Sequence, residues 1–290
     1  MTVMVLPKLR FGIHNTHHSK DDNATHASHG THATSPESTC DDEGLTSKQA
    51  EAQCIFEIKQ FFSTFGIRLP QEKIFRYASF CKFDSEEAID RIREDNGNPY
   101  MELKMKEMED QFGTSAVFPL PFLRTRKNNS EVVYMKPARM NPHQGDSSDR
   151  FIDSLCYVLN DLSQTVDQCQ NGVTVIADMQ DATMENFTKE YCAELMQALQ
   201  GNMVPTRVEA FLIVEPPSWF SKKVFKWMKS KKTSKDFLKR VHLIKQEQLS
   251  QFLMKDYQLY LPDDIKGGYA VGGEICEDYM DLKIAQEQQN

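Results

Sequence analysis

Two apolar runs constrain this chain more than anything else in it: GVTVIADM at 172–179 and VEAFLIV at 208–214. Neither alternates apolar with polar residues, so neither reads as a strand with one wet face. Between them, Phe187, Tyr191, Leu195 and Leu199 recur at steps of four, the spacing of a helix with one apolar stripe. Strand, helix and strand of these lengths form a βαβ unit, which requires a parallel pairing covered on its faces. The fold class expected is therefore α/β. A third apolar run, VHLI at 241–244, continues the pattern.

Around this unit the period changes. Upstream, Ile55, Ile58, Phe62 and Phe65 fall at helical spacing and Gly66 supplies a stop. Ile74, Tyr77, Ala78 and Cys81 begin a second stripe, and Asp84 or Ser85 caps a third with Ala88, Ile89 and Ile92 on one face. AVFPLPFL and EVVYMKP predict two strands joined by a turn at Lys127–Ser130, the first demoted to an edge or an irregular segment by its prolines. Phe151, Leu155, Val158, Leu159, Leu162 and Val166 predict one amphipathic helix. Asp181 is expected to cap the helix after the first long apolar run, and the glycines of LPDDIKGGY to make a tight turn. Four regions follow: a polar tail over 1–44, a helical subdomain and linker over 45–111, the α/β domain over 112–273, and a polar tail over 274–290.

Residues 12–44 carry His14, His17, His18, His26, His29 and His32 among small polar residues. With so little apolar surface, folding does not offset the ordering entropy, and a disordered segment is expected without a fixed metal geometry. The seven cysteines form no CxxC pair and are expected as small buried apolar residues. No apolar run reaches the ~20 residues of a membrane span, and MTVMVLPKLRF lacks the layout of a signal peptide. A cytoplasmic monomer is expected.

Charge is unevenly placed. The formal net charge is -8, which argues against a general nucleic-acid binder. Yet nine lysines and one arginine face a single aspartate between Pro217 and Lys245. A helix drawn after Pro217 sets Phe220, Val224, Phe225, Trp227 and Met228 on one arc, and Lys222, Lys223, Lys226 and Lys229 on the other. An aromatic face beside a lysine face suits an anionic lipid surface. An ordinary helix with a solvated charged face fits the same pattern.

Catalytic readings are weaker. Asp178 and Asp181 follow a buried strand and Glu215 ends another, so a carboxylate cluster is conceivable, against the alternative of a helix cap and a satisfied loop acid. His242 sits inside an apolar run and reads as a core residue. There is no P-loop, no GxGxxG and no His-Cys pair followed by an arginine five residues on. No enzyme activity, metal or cofactor is expected.

The order of segments resembles the CRAL-TRIO lipid-exchange family. The resemblance is carried by KIFRYASFCKFDSEEAIDRI, by AFLIVEPPSWF, by FLKRVHLI and by LPDDIKGGY, over about Leu45 to Gly273. It implies a mostly parallel sheet with covering helices, preceded by a small helical subdomain, and a lipid pocket beneath a mobile gate helix. The implied wall takes in Phe122, Val175, Ala177, Met179, Phe187, Phe211 and Ile213, and the implied gate Trp219, Phe220, Val224, Phe225, Trp227 and Met228. Arg207, Lys222, Lys223, Lys226, Lys229, Lys239 and Arg240 would meet a headgroup or membrane. Members that transfer phosphatidylinositol carry a glutamate where Thr206 stands and a basic residue where Arg240 stands. The implied partners are a lipid ligand and an anionic membrane.

Overall fold

The first helix, α1 (Ser47–Thr64), starts where a capping box can form: Thr46 Oγ1 accepts from the Gln49 amide, and the Gln49 side chain accepts from the Thr46 amide. It is followed by α2 (Gln71–Phe80) and α3 (Ser85–Glu94), the latter capped by Asp84, which accepts from the Glu87 amide. Gly66 ends α1 at φ 72°. The three helices bury Ile58, Phe62, Ile74, Tyr77, Ala78, Ala88 and Ile92 in a small core of their own. Phe65, expected on the buried stripe, is 58% exposed because the helix has already ended there. This computed structural model describes residues 46–112, 114–140, 147–228 and 233–289; the tail expected over 1–44 lies outside them.

After the short α4 (Glu109–Phe112) come β1 (Val117–Arg124) and β2 (Glu131–Met135), then α5 (Ser147–Asp161), α6 (Val166–Asn171), β3 (Val173–Asp178), α7 (Lys189–Leu199) and β4 (Val208–Val214). A π-helical turn, Phe220–Val224, leads into α8 (Phe225–Met228), then α9 (Lys235–Leu238), β5 (Val241–Ile244) and α10 (Gly272–Gln289). The five strands lie in chain order, β1 antiparallel to β2 and the rest parallel. The edge position of β1 fits Pro119 and Pro121, which cannot donate to a ladder. Because the parallel strands advance in one direction, right-handed crossovers bring α5, α7 and the segment after β4 to the same face.

Three expectations are corrected. The helix predicted through Val166 stops at Asp161; Thr165 and Gln168 form a capping box that starts α6 anew. Asp181 caps nothing: it is exposed at φ 63°, and α7 is capped by Thr188, which accepts from the Tyr191 amide at 3.1 Å. The segment predicted as a polar tail over 274–290 is helical through Gln289 and docked, burying Ile275, Cys276 and Tyr279. Its Glu287 accepts from Tyr157 Oη at 2.8 Å, and Lys283 lies 2.7 Å from Asp161.

Two arginines join the helical core to the ends of α5 and α7, which cover the sheet. Arg76 is buried and donates to the Ser163 carbonyl and to both oxygens of Asn160. Arg91 donates to the carbonyls of Gly201 and Asn202. The described residues from Thr46 onward accordingly belong to one compact unit, in which the three helices keep their own small core. The Gly-Gly turn is tight as expected: a Cβ on Gly267 would stand 1.9 Å from the Leu261 carbonyl oxygen.

Candidate functional site

The sheet presents two chemically different faces, and the register assigns them. Met135 pairs with Ala177 and Ala177 with Ile213, while Val175 pairs with Phe211. Alternate strand residues share a face, so these side chains stand together beneath α7 and the segment after β4. There they meet Phe187, Cys192, Leu195 and Met196, and close against Phe220, Val224 and Met228. Met179 and Pro137 complete the lining. No lining residue is charged, and none carries a hydroxyl or amide side chain.

Of the residues implied as wall or gate, eight meet in this one place: Ala177, Met179, Phe187, Phe211, Ile213, Phe220, Val224 and Met228. Val175 is buried on the same face but lies outside the lining. Trp219 is half-buried and packs its ring 5.8 Å from Phe187 and 6.0 Å from Phe220. Phe225 is half-buried. The side chain of Trp227 and all of Lys229 lie outside the described residues. Phe122 does not belong here. It stands at φ 66° within the register shift of β1, 67% exposed, beside Tyr269 and Leu282 of a different groove. The resemblance implied it as wall, but the register shift in β1 turns it outward.

Sequence reasoning missed Met135, Pro137, Cys192, Leu195 and Met196. Leu195 stood two helical turns from Phe187 on the stripe already noted, which was the signal for that wall. Met135 needed the strand register, which periodicity does not carry.

The space these residues enclose is closed down to about 10 Å³, the room of about one water. Its cover is the segment 218–228, which we call the lid. Phe220 and Met228 are 2% and 3% exposed, whereas Lys222, Lys223 and Lys226 face solvent. The Phe225 amide donates to the Phe220 carbonyl, the i→i+5 bond of a π turn. Such turns interrupt the regular helical ladder and occur often where helices do functional work.

The remaining basic candidates are engaged by the protein. Arg207 pairs with Glu209. Arg240 donates to the Val208 carbonyl at 2.9 Å, and exposed Lys239 lies 2.9 Å from Asp236. Thr206 is buried; its hydroxyl donates to the Leu159 carbonyl at 3.1 Å and accepts from Ser163 Oγ at 2.9 Å.

The opposite sheet face is polar at its C-terminal edge. Asp178 Oδ2 accepts from Tyr134 Oη at 2.8 Å and lies 3.4 Å from Lys136 Nζ, while Oδ1 accepts from the Gln180 amide. Asp264 lies 3.9 Å from Lys136 and 2.7 Å from Arg139. Burial, with the Asp178 charge beside it, pushes the Tyr134 phenol far above its ordinary range. Asp178 is thus a buried anchor, while Asp181 is exposed and Glu215 accepts from the Gln246 amide. No paired acid and base emerges from them. His242 is half-buried with its ring 5.0 Å from Phe252, and burial lowers its pKa.

Residues 120–265 match the family model described as the CRAL/TRIO domain. Among solved structures, the crystal structure of Sfh5 superposes with a TM-score of 0.52 at 13% sequence identity, covering 81% of this chain and 97% of that one. That likeness speaks for the fold. No curated protein matches the chain.

Proposed function

The chain belongs to the CRAL/TRIO domain family, and from that premise we propose that it carries a hydrophobic lipid between the sheet and the lid, and docks on anionic membrane to exchange it. The observation that supports this best is the lid's division into two sides. Phe220, Val224 and Met228 seal a wholly apolar space, while Lys222, Lys223 and Lys226 point to solvent. The lysines would hold the lid at the surface of a bilayer, and its apolar side would lift to pass an acyl chain. Burial contributes about 0.8 kcal/mol for each CH₂, so a single chain is retained without covalent chemistry. Among the described residues no helix is long and apolar enough to cross a membrane, which fits peripheral association from the cytoplasm. The stretch PTRVEAFLIVEPPSWF also resembles the lipid domain of tyrosine-protein phosphatase non-receptor type nine, and we propose a kinship with it. Transfer of phosphatidylinositol in the manner of the glutamate-bearing members is disfavoured, because Thr206 stands at that place and bonds to the Leu159 carbonyl; Arg240 gives one N–H to the Val208 carbonyl out of the five a guanidinium carries, so a phosphoinositide stays among the proposed ligands.

A second reading has an observation of its own. With only about 10 Å³ open, a protein-interaction module of the same fold that has lost its ligand fits equally. Native mass spectrometry of the gently purified full chain separates the two: a co-purified lipid supports carriage, and a chain that stays empty after mixing with vesicles supports the module. Membrane docking is tested by reversing Lys222, Lys223 and Lys226 to Glu. Each lysine near an anionic surface contributes about 1 kcal/mol, so losing three weakens sedimentation with phosphatidylserine vesicles on the order of 100-fold. Unchanged sedimentation would remove the docking half of the proposal.

A further inference from the structure

Phe122 overlooks a groove of about 410 Å³ between β1 and α10. The groove shares no lining residue with the cavity under the lid. Three large apolar side chains on it, Phe122, Tyr269 and Leu282, are exposed, and they come from three separate parts of the chain. Exposed apolar residues scattered singly are ordinary. Gathered on one concave surface and rimmed by charge, they mark a place where another molecule sits.

The backbone at Phe122 is a second sign. Its φ of 66° is one that a bulky side chain rarely adopts. Phe83 has a similar backbone, but its ring packs on Phe75 at 6.0 Å. The Phe122 ring gains no such burial and stands in water. Strain of this kind gathers at functional sites, where the surrounding fold holds it in place.

Charge and backbone chemistry select the occupant. Glu274, Glu277, Asp278 and Asp281 are exposed on α10, and Asp278 lines the groove itself. Among the described residues no lysine or arginine pairs with any of the four. The groove's other acids are matched, Asp161 by Lys283 and Glu131 by Arg124. The unmatched charge at the rim is therefore negative, and it repels an anionic bilayer. Pro119 and Pro121 carry no N–H, and the pairing of β1 is broken between Pro119 and Arg124, so an added strand finds no ladder there. A helix satisfies its own backbone and needs only side-chain contacts. Glu274, Asp278 and Asp281 follow one another at steps of four and three, about 10 Å along one side of α10. Basic residues at the same steps on a second helix match them.

We infer that this groove docks a basic amphipathic helix of a partner protein. Its apolar side chains seat among Phe122, Tyr269 and Leu282, and its lysines or arginines pair with Glu274, Asp278 and Asp281. The inference is independent of whether the cavity under the lid holds a lipid. A second copy of this chain is a poorer occupant, because Phe220 and Met228 on the apolar side of its own basic lid are already buried.

The test uses the full chain and two fluorescein-labelled helical peptides of about four turns. Both carry the same leucine stripe; one is flanked by lysines and the other by glutamates. The lysine peptide is expected to bind about 10-fold more tightly, the worth of two or three exposed ion pairs. Asp278→Lys combined with Asp281→Lys is expected to reverse that order. Phe122→Asn keeps a residue that tolerates this φ, so it is expected to weaken the lysine peptide about 10-fold while melting no lower than the wild type. Its sedimentation with phosphatidylserine vesicles is expected to stay unchanged. A wild-type chain that binds both peptides alike, or neither, would overturn the inference, and so would Phe122→Asn that binds normally or melts several degrees lower. Vesicle binding lost in Phe122→Asn would make the groove a lipid contact. Wild-type dimers that Phe122→Asn abolishes would make a second copy the occupant. Either result rejects the partner helix.

Discussion

The two faces of one sheet are built for opposite purposes. Toward the lid stand Met135, Ala177, Phe211 and Ile213, held only by contact with other apolar groups. On the reverse, Tyr134, Asp178, Lys136, Asp264 and Arg139 are tied by directional bonds between charged and polar atoms. Apolar contacts are non-directional and re-form around whatever fills the space. A buried ionic network has one good geometry and loses heavily when a member leaves. The comparison teaches that the reverse face fixes the strands so that the lid face is free to change partners. β2 and β3 belong to both faces, so the strands that Tyr134 and Asp178 anchor are the ones whose Met135 and Ala177 set the floor of the cavity.

The largest expected effect lies in the anchor. Asp178→Ala leaves the buried Tyr134 hydroxyl without its acceptor and Lys136 with only the more distant Asp264 carboxylate at 3.9 Å, and breaking a buried pair on one side costs about 4 kcal/mol. The measurement is the denaturant midpoint of the full chain, with an unchanged slope showing that the same surface unfolds. A loss under about 1 kcal/mol, the scale of exposed pairs, would mean that solvent reaches the network and that the two faces do not differ as described.

A smaller and differently placed effect is expected at the lid. Phe220 is 2% exposed and its carbonyl accepts the π-turn bond from the Phe225 amide. Phe220→Ala removes a buried ring worth about 3 kcal/mol, but the loss falls on a local opening rather than on the whole fold. Hydrogen exchange at the Phe225 amide should quicken on the order of 100-fold, with the global midpoint moving little. Should the midpoint fall as far as it does for Asp178→Ala, the lid is part of the core, and no independent opening can be claimed for it.

What was legible in the sequence follows the same division. The continuous apolar runs of β3 and β4 announced a covered parallel sheet, because only strands buried on both faces lack alternation. That lack of alternation also hid which side faced the lid: Ile176 and Ala177 look alike in sequence, yet only Ala177 stands on the cavity side. The two-sided character of the segment 218–228 was legible from its lysines and aromatics, but its reading as a cover over a cavity came from the family resemblance, since an ordinary helix with a solvated face fits the same pattern. Its π turn was not legible, since a single i→i+5 bond leaves no mark on residue spacing. Asp178 was read as a loop acid because its partners, Tyr134 and Lys136, come from another strand some forty residues earlier. The final helix, α10, escaped notice because Ile275, Cys276 and Tyr279 are spaced among acids and amides that mask the stripe. In contrast, the Thr165–Gln168 capping box was visible and overlooked.

The smallest effect concerns the outer end of the reverse face, at His242. Its partner across β4 is Leu212, and its ring rests half-buried on Phe252. Burial lowers the folded-state pKa below the ordinary value of about 6.5. The unfolded chain therefore binds the proton more readily than the folded one. Stability attributable to the neutral ring is intact above that ordinary value and is lost as pH falls through it toward the lower folded-state pKa. Other groups titrate over the same range, so the observable is a difference: between about pH 7 and pH 5, the midpoint of the wild type should fall more than that of His242→Gln. The difference is modest, because the ring still reaches water on one side. Parallel curves for the two proteins would show the imidazole solvated in both states, and the dry, fixed part of this face would then end at Tyr134 and Asp178.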